Sequence, residues 1–162
     1  KVNELYECYI RSQMQLMNDF SSEVFYASRE AHIEETYLFT DRTPLDFAIL
    51  TECGIKQLQS IMGGELNSHH KRLIELCRST ALKNTKQFFD GVFVTKPWLG
   101  DDTEVLTDGV RDQYLSEYYT GDNWYSNVKG IDESVTKIFT ITEDIVSLED
   151  RASYVCSKLS EV

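Results

Sequence analysis

Apolar residues recur every three to four positions from the start of the chain. Leu5, Tyr9, Leu16, Phe20, Val24, Ala27 and Ala31 fall on one stripe, Gln13 fills the gap, and Tyr6, Ile10 and Met17 widen it. This period predicts a helix with one face on a core, about eight turns long. At Tyr37–Thr40 the pattern becomes a short run that is apolar on both faces, which predicts a strand covered by layers on either side. Thr43 then suits an N-cap, Pro44 a first helical position and Asp46 a capping-box acid. The helix they open runs through Ile49, Ile55, Leu58 and Ile61 and is stopped by Gly63-Gly64. Asn67 or Ser68 opens another, with Leu73, Ile74, Leu76, Cys77 and Leu82 among its apolar positions.

A second strand is predicted at Asp90–Pro97, centred on Val92, Phe93 and Val94 and ended by Pro97. The stretch after it is acidic, punctuated by glycine and rich in aromatics, and "TGDNWYSN" within it predicts no regular element. A helix around Ile131–Lys137 leads to a third strand, Ile138–Thr142. Ser147 opens the last helix, with Asp150 three residues on, and Leu148, Ala152, Val155 and Leu159 are expected to face inward. Strands separated by helices imply right-handed crossovers and a parallel sheet with helices on both faces, hence an α/β fold. Ligands of such sheets bind outside the carboxyl ends of the strands. Asp41, Arg42 and Lys96 each follow a predicted strand and are expected on that edge.

Composition narrows the function classes. A chain of 162 residues is most simply one domain, residues 1–162. No apolar run approaches the ~18–20 residues of a membrane helix, and no signal-peptide pattern opens the sequence. The net charge of −11 opposes a general nucleic-acid surface, but leaves room for a local basic pocket. Cys8, Cys53, Cys77 and Cys156 are scattered, without a C-x-x-C pair, and each sits in a helix-like pattern. They read as small apolar residues in a reducing cytoplasm. His69 and His70 are adjacent, so a helix turns them about 100° apart. They make a poor chelating pair and are expected on a solvated face.

With these positions placed, the sequence resembles a family. "LFTDRTPLDFAIL", "DGVFVTKP" followed by "TDGVRD", and "SLEDR" are similar to elements of small P-loop kinases and AAA-type ATPases related to nicotinamide-riboside kinase and thymidylate kinase. The resemblance spans roughly Leu38–Arg151. It implies a three-layer P-loop NTPase-like parallel sheet, with a lid over about residues 98–127. The activity it implies is ATP-dependent phosphoryl transfer to a nucleoside- or nucleotide-like acceptor. Asp41 would lie near the Mg2+ of bound ATP, Arg42 would contact the acceptor, Arg111 would close over the transferring group, and Arg151 would flank the nucleotide. Phosphoryl transfer depends on in-line positioning and on cations that neutralise phosphate oxygens, which suits these residue types.

On the residues alone the alternatives stay open. Asp41 and Arg42 equally suit a strand cap, Asp46 a helix cap, Asp108 and Asp112 surface ion pairs with Arg111, and Arg151 a solvated first turn. Lys96 is a weaker phosphate contact. Trp98, Trp124 and the tyrosines from Tyr114 to Tyr125 suit lid packing or an interface as well as base stacking.

One departure matters. No G-x-x-x-x-G-K-[ST] occurs in the 162 residues, and Gly63-Gly64 is followed by Glu65. That loop cradles phosphates on backbone N–H groups. In the family its strand lies between the one ending in D-R and the one resembling D-G-V-F-V, so its absence implies a gap in the sheet with unpaired backbone groups. Three expectations follow: an N-terminal segment beyond this sequence, favoured by a start already inside a helix; a partner chain supplying the strand; or a degenerate, non-catalytic nucleotide- or protein-binding domain. A further reading is a mostly helical partner-binding protein, in which residues 37–40 and 90–95 do not share a sheet.

Overall fold

The computed structural model describes residues 1–34, 36–95, 136–141, 145 and 147–162. Among these are four α-helices and one sheet: α1 (Val2–Ile33), α2 (Pro44–Met62), α3 (Ser68–Phe88), β1 (Gly91–Thr95), β2 (Lys137–Ile141) and α4 (Leu148–Lys158), followed by a 3-10 turn at Leu159–Glu161. β1 and β2 are parallel, with Gly91 opposite Lys137 and Thr95 opposite Ile141. Helices α1, α2 and α3 pack on one another in all three pairings.

This overturns the three-layer α/β sheet. The described residues are mostly helical, and the sheet has two strands, β1 and β2. Tyr37–Thr40, expected as a buried strand, is neither strand nor helix. Tyr37, Leu38 and Phe39 are 62%, 42% and 59% exposed. A strand is defined by the neighbour it bonds to, and no described strand pairs with this segment. The sheet that does form is parallel and joins two segments distant in sequence, as the crossover reasoning required.

The helix boundaries follow from local chemistry. Thr43 N–H donates to Asp46 Oδ2 at 2.7 Å and Thr43 Oγ1 donates to the same oxygen at 3.0 Å, which closes the start of α2. Gly63 ends it at φ +67°, a conformation that glycine adopts without strain. Asn67 caps α3 through its Oδ1, which accepts from the His70 N–H at 2.9 Å. Ser147 Oγ accepts from the Asp150 N–H at 3.0 Å and opens α4. Of the helix expected around Ile131–Lys137, residues 131–135 lie outside the described residues, and Lys137 belongs to β2.

The core forms two clusters along α1. Tyr6 and Ile10 join Ile55 and Leu73 near the amino end. Met17 joins Leu45, Ile49, Cys77 and Val92 further along. Tyr6, Ile10 and Met17 are completely buried, whereas Leu5 and Leu16 are 38% and 52% exposed. The buried face of α1 is thus rotated from the predicted stripe onto the residues that were its margin. His70 is also buried, against expectation. Its Nε2 lies 3.0 Å from the Asn3 carbonyl oxygen, its Nδ1 accepts from the Asn67 N–H at 3.4 Å, and its ring meets Tyr6 edge-on at 5.8 Å. A polar ring with both nitrogens engaged can be buried at little cost. On α4 no residue is fully buried, and Leu148, expected inward, is 80% exposed.

Cys53 and Cys77 are buried, and Cys8 and Cys156 are exposed. Burial pushes the Cys77 thiol above its ordinary value; the nearby Thr51 hydroxyl opposes that shift and Glu52 adds to it. Since the thiolate is the reactive form, a chromogenic disulfide reagent should titrate two thiols rapidly in the native protein. Cys53 and Cys77 should react on the timescale of unfolding. Rapid reaction of all four in buffer would contradict the burial of this pair.

Candidate functional site

Residues 36–43 leave α1 and turn into the capped start of α2. Opposite them, residues 88–93 leave α3 and enter β1. Between these two connections lies a cleft of about 500 Å³. Its remaining sides are Val24, Ser28, Ala31 and His32 of α1, with Leu159 and Val162 near the carboxyl terminus. Gly91 allows the close approach of the chain end, since a Cβ there would come 3.0 Å from Val162 Cγ2.

Asp41 and Arg42 stand side by side on this cleft, and both are exposed. Among the described residues neither side chain has a hydrogen-bond or ion-pair partner. Their backbone is held from both sides: Thr40 Oγ1 donates to the Arg42 carbonyl oxygen at 2.7 Å, and the Thr43–Asp46 box follows at once. Asp46 also borders the cleft, but its carboxylate is engaged in the cap, as its position in the sequence suggested. The charged lining is therefore Asp41, Asp46 and Asp90 against Arg42, and His32 also borders the cleft. Aromatic surface accompanies it, with the Tyr37 and Phe39 rings 6.4 Å apart on one wall and Phe88, Phe89 and Phe93 on the other.

The remaining candidates are not gathered here. Arg151 is not among the cleft residues; its Nε donates to the Ile145 carbonyl oxygen at 3.1 Å and braces the entry to α4. Arg111, Lys96, Trp98, Trp124 and Tyr114–Tyr125 lie outside the described residues. The expected carboxyl edge is also corrected. Among the described residues the cleft borders β1 at residues 91–93, and Asp41-Arg42 follows no described strand. Asp90 and His32 were missed as lining residues. Asp90 reads in sequence only as the start of a strand, and His32 only as the polar end of a helix.

Among the described residues no three or more His, Cys, Asp and Glu side chains are grouped to hold a metal ion. One carboxylate such as Asp41 fits Mg2+ that arrives with phosphate and water ligands, the usual binding mode of that ion. No described helix is long and apolar enough to cross a membrane. Compared with known proteins, the chain matches no family model, no curated protein and no solved structure.

Proposed function

We propose that Asp41 and Arg42 are the ligand-contacting pair of a nucleotide- or nucleoside-binding cleft, serving ATP-dependent phosphoryl transfer to a nucleoside- or nucleotide-like acceptor. The observation that carries this reading is the adjacent acid and guanidinium, unpaired among the described residues, on an aromatic-walled cleft of about 500 Å³, a volume suited to a small molecule. Arg42 offers a planar fork of donors to a phosphate or hydroxyl group. Asp41 would hold the Mg2+ that accompanies ATP, and that ion would supply charge neutralisation at the phosphates. Arg111 as a lid residue and Arg151 as a nucleotide contact rest on the family resemblance. The four cysteines carry unbridged thiols, two of them buried, which supports placing the protein in the cytoplasm.

Calorimetric titration with ATP across a magnesium series tests the assignment. Asp41→Asn is expected to weaken magnesium-dependent ATP binding roughly tenfold, equivalent to about 1.4 kcal/mol. Unchanged affinity at every magnesium concentration would remove the metal role. A second reading, binding without transfer, is favoured by the lack of any G-x-x-x-x-G-K-[ST] in the 162 residues. It expects ATP to bind while no labelled γ-phosphoryl group reaches any nucleoside acceptor.

A further inference from the structure

Three carboxylates line the cleft, and two of them have a role. Asp46 is held in the cap of α2, and Asp41 faces the metal ion in the reading proposed above. Asp90 is left, on the opposite wall, and its backbone is fixed from two elements. The Phe89 N–H donates to the Thr85 carbonyl oxygen at 3.0 Å, which seats this connection on the end of α3. From the other side, Thr136 Oγ1 donates to the Phe89 carbonyl oxygen at 2.9 Å, and the Lys137 N–H donates to the Asp90 carbonyl oxygen at 2.9 Å. Thr136 is completely buried, so its hydroxyl is a structural donor and not a solvated one. Together these bonds set the place from which the Asp90 side chain reaches the cleft, the kind of supporting contact that makes a binding group precise.

A carboxylate accepts hydrogen bonds and repels phosphate. The part of a nucleotide that can meet Asp90 is therefore one that carries donors, either the hydroxyls of the sugar or an amino group on the base. The hydroxyls fit better. Two neighbouring O–H donors match the two oxygens of one carboxylate, and bonds to a charged acceptor are the stronger ones. The base is then left to the aromatic rings of the walls, Tyr37, Phe39 and Phe93, whose faces suit a planar ring.

We propose that Asp90 is the specificity-determining residue of the cleft, accepting hydrogen bonds from the sugar hydroxyls of a ribonucleotide, and that Thr136 is the residue that positions it. The inference rests on the nucleotide reading and deepens it: the cleft selects ribose over deoxyribose. Arg42 and Asp41 serve the phosphate end, and Asp90 serves the sugar. Thr136 touches no ligand and acts through the Phe89-Asp90 backbone alone.

The test is calorimetric titration with ATP, 2′-deoxy-ATP, 3′-deoxy-ATP and inosine triphosphate at saturating magnesium. The unmodified protein is expected to bind ATP and inosine triphosphate alike, and at least one deoxy analogue roughly tenfold more weakly. This comparison needs no variant. Asp90→Ala should bring ATP down to the level of that analogue. Thr136→Val keeps the shape of the side chain and removes its hydroxyl; it should narrow the preference to about threefold or less, and Thr136→Ser should restore it. A loss of packing alone would weaken all four ligands together and leave their ratios unchanged. ATP binding with equal affinity for both deoxy analogues would overturn this inference and leave the nucleotide reading in place. So would a loss confined to inosine triphosphate, which would give Asp90 to the amino group of the base. An undiminished preference in Thr136→Val, with an unchanged circular dichroism spectrum, would overturn the positioning role. Absence of ATP binding at every magnesium concentration would remove the nucleotide reading and this inference with it.

Discussion

Gly54→Ala is expected to destabilise the protein by about 3 kcal/mol, the upper part of the usual range for overpacking. Gly54 lies within α2, where alanine would ordinarily stabilise a helix by up to about 1 kcal/mol. Here the sign reverses, because a Cβ at this position would overlap the phenol ring of Tyr9. Tyr9 crosses from α1 and donates its hydroxyl to the Leu50 carbonyl oxygen at 3.0 Å, so the ring cannot withdraw without losing that bond. For a chain of this size such a loss corresponds to a fall in Tm of roughly 6–12 °C. Thermal unfolding of Gly54→Ala, Tyr9→Ala and the double variant gives the coupling directly. The glycine substitution should be nearly harmless once the ring is gone. An equal cost in both backgrounds would mean that the α1–α2 contact is looser than the structure has it.

Tyr6→Ala should cost more, about 4 kcal/mol, as is typical of removing a buried aromatic side chain. Tyr6 is completely buried and packs with Ile10, Ile55 and Leu73. Its hydroxyl donates to the Gly63 carbonyl oxygen at 2.6 Å, which ties the end of α2 to the first turns of α1. Tyr6→Phe isolates that bond and should cost about 1 kcal/mol. Chemical denaturation of the two variants divides the loss into packing and hydrogen bonding. A phenylalanine variant as damaged as the alanine one would place the main contribution in the hydroxyl and not in the ring.

Much of the architecture is legible where the determinant is local. The Thr43-Pro44-Asp46 start of α2, the Gly63-Gly64 stop, the caps at Asn67 and Ser147, and the strands at Val92–Val94 and Ile138–Ile141 all follow from chemistry within a few residues. What failed depends on partners. "YLFT" has the composition of a strand, but pairing is settled by a distant neighbour that no local pattern names. His70 reads as solvated because its burial rests on Asn3, more than sixty positions earlier. The stripe on α1 was found and its centre misplaced, because α2 and α3 meet the helix on the Tyr6–Ile10–Met17 side. Of the candidate site, Asp41 and Arg42 do share a cleft, for a reason other than the expected one. They stand at a helix entry facing the side of a strand, not at a strand's carboxyl end.

Met14 packs against both apolar clusters, the one that holds Tyr6 and Ile10 and the one that holds Met17. A single unbroken helix therefore joins them at a common side chain, and neither cluster can loosen without disturbing the other. Cooperativity is the result: the amides between Ile10 and Met17 should open only with the whole molecule, and exchange there should report the global unfolding free energy. The cleft lies past this stretch, beside Val24 and His32 near the far end of α1. Its walls can thus breathe on a faster timescale than the junction that anchors them.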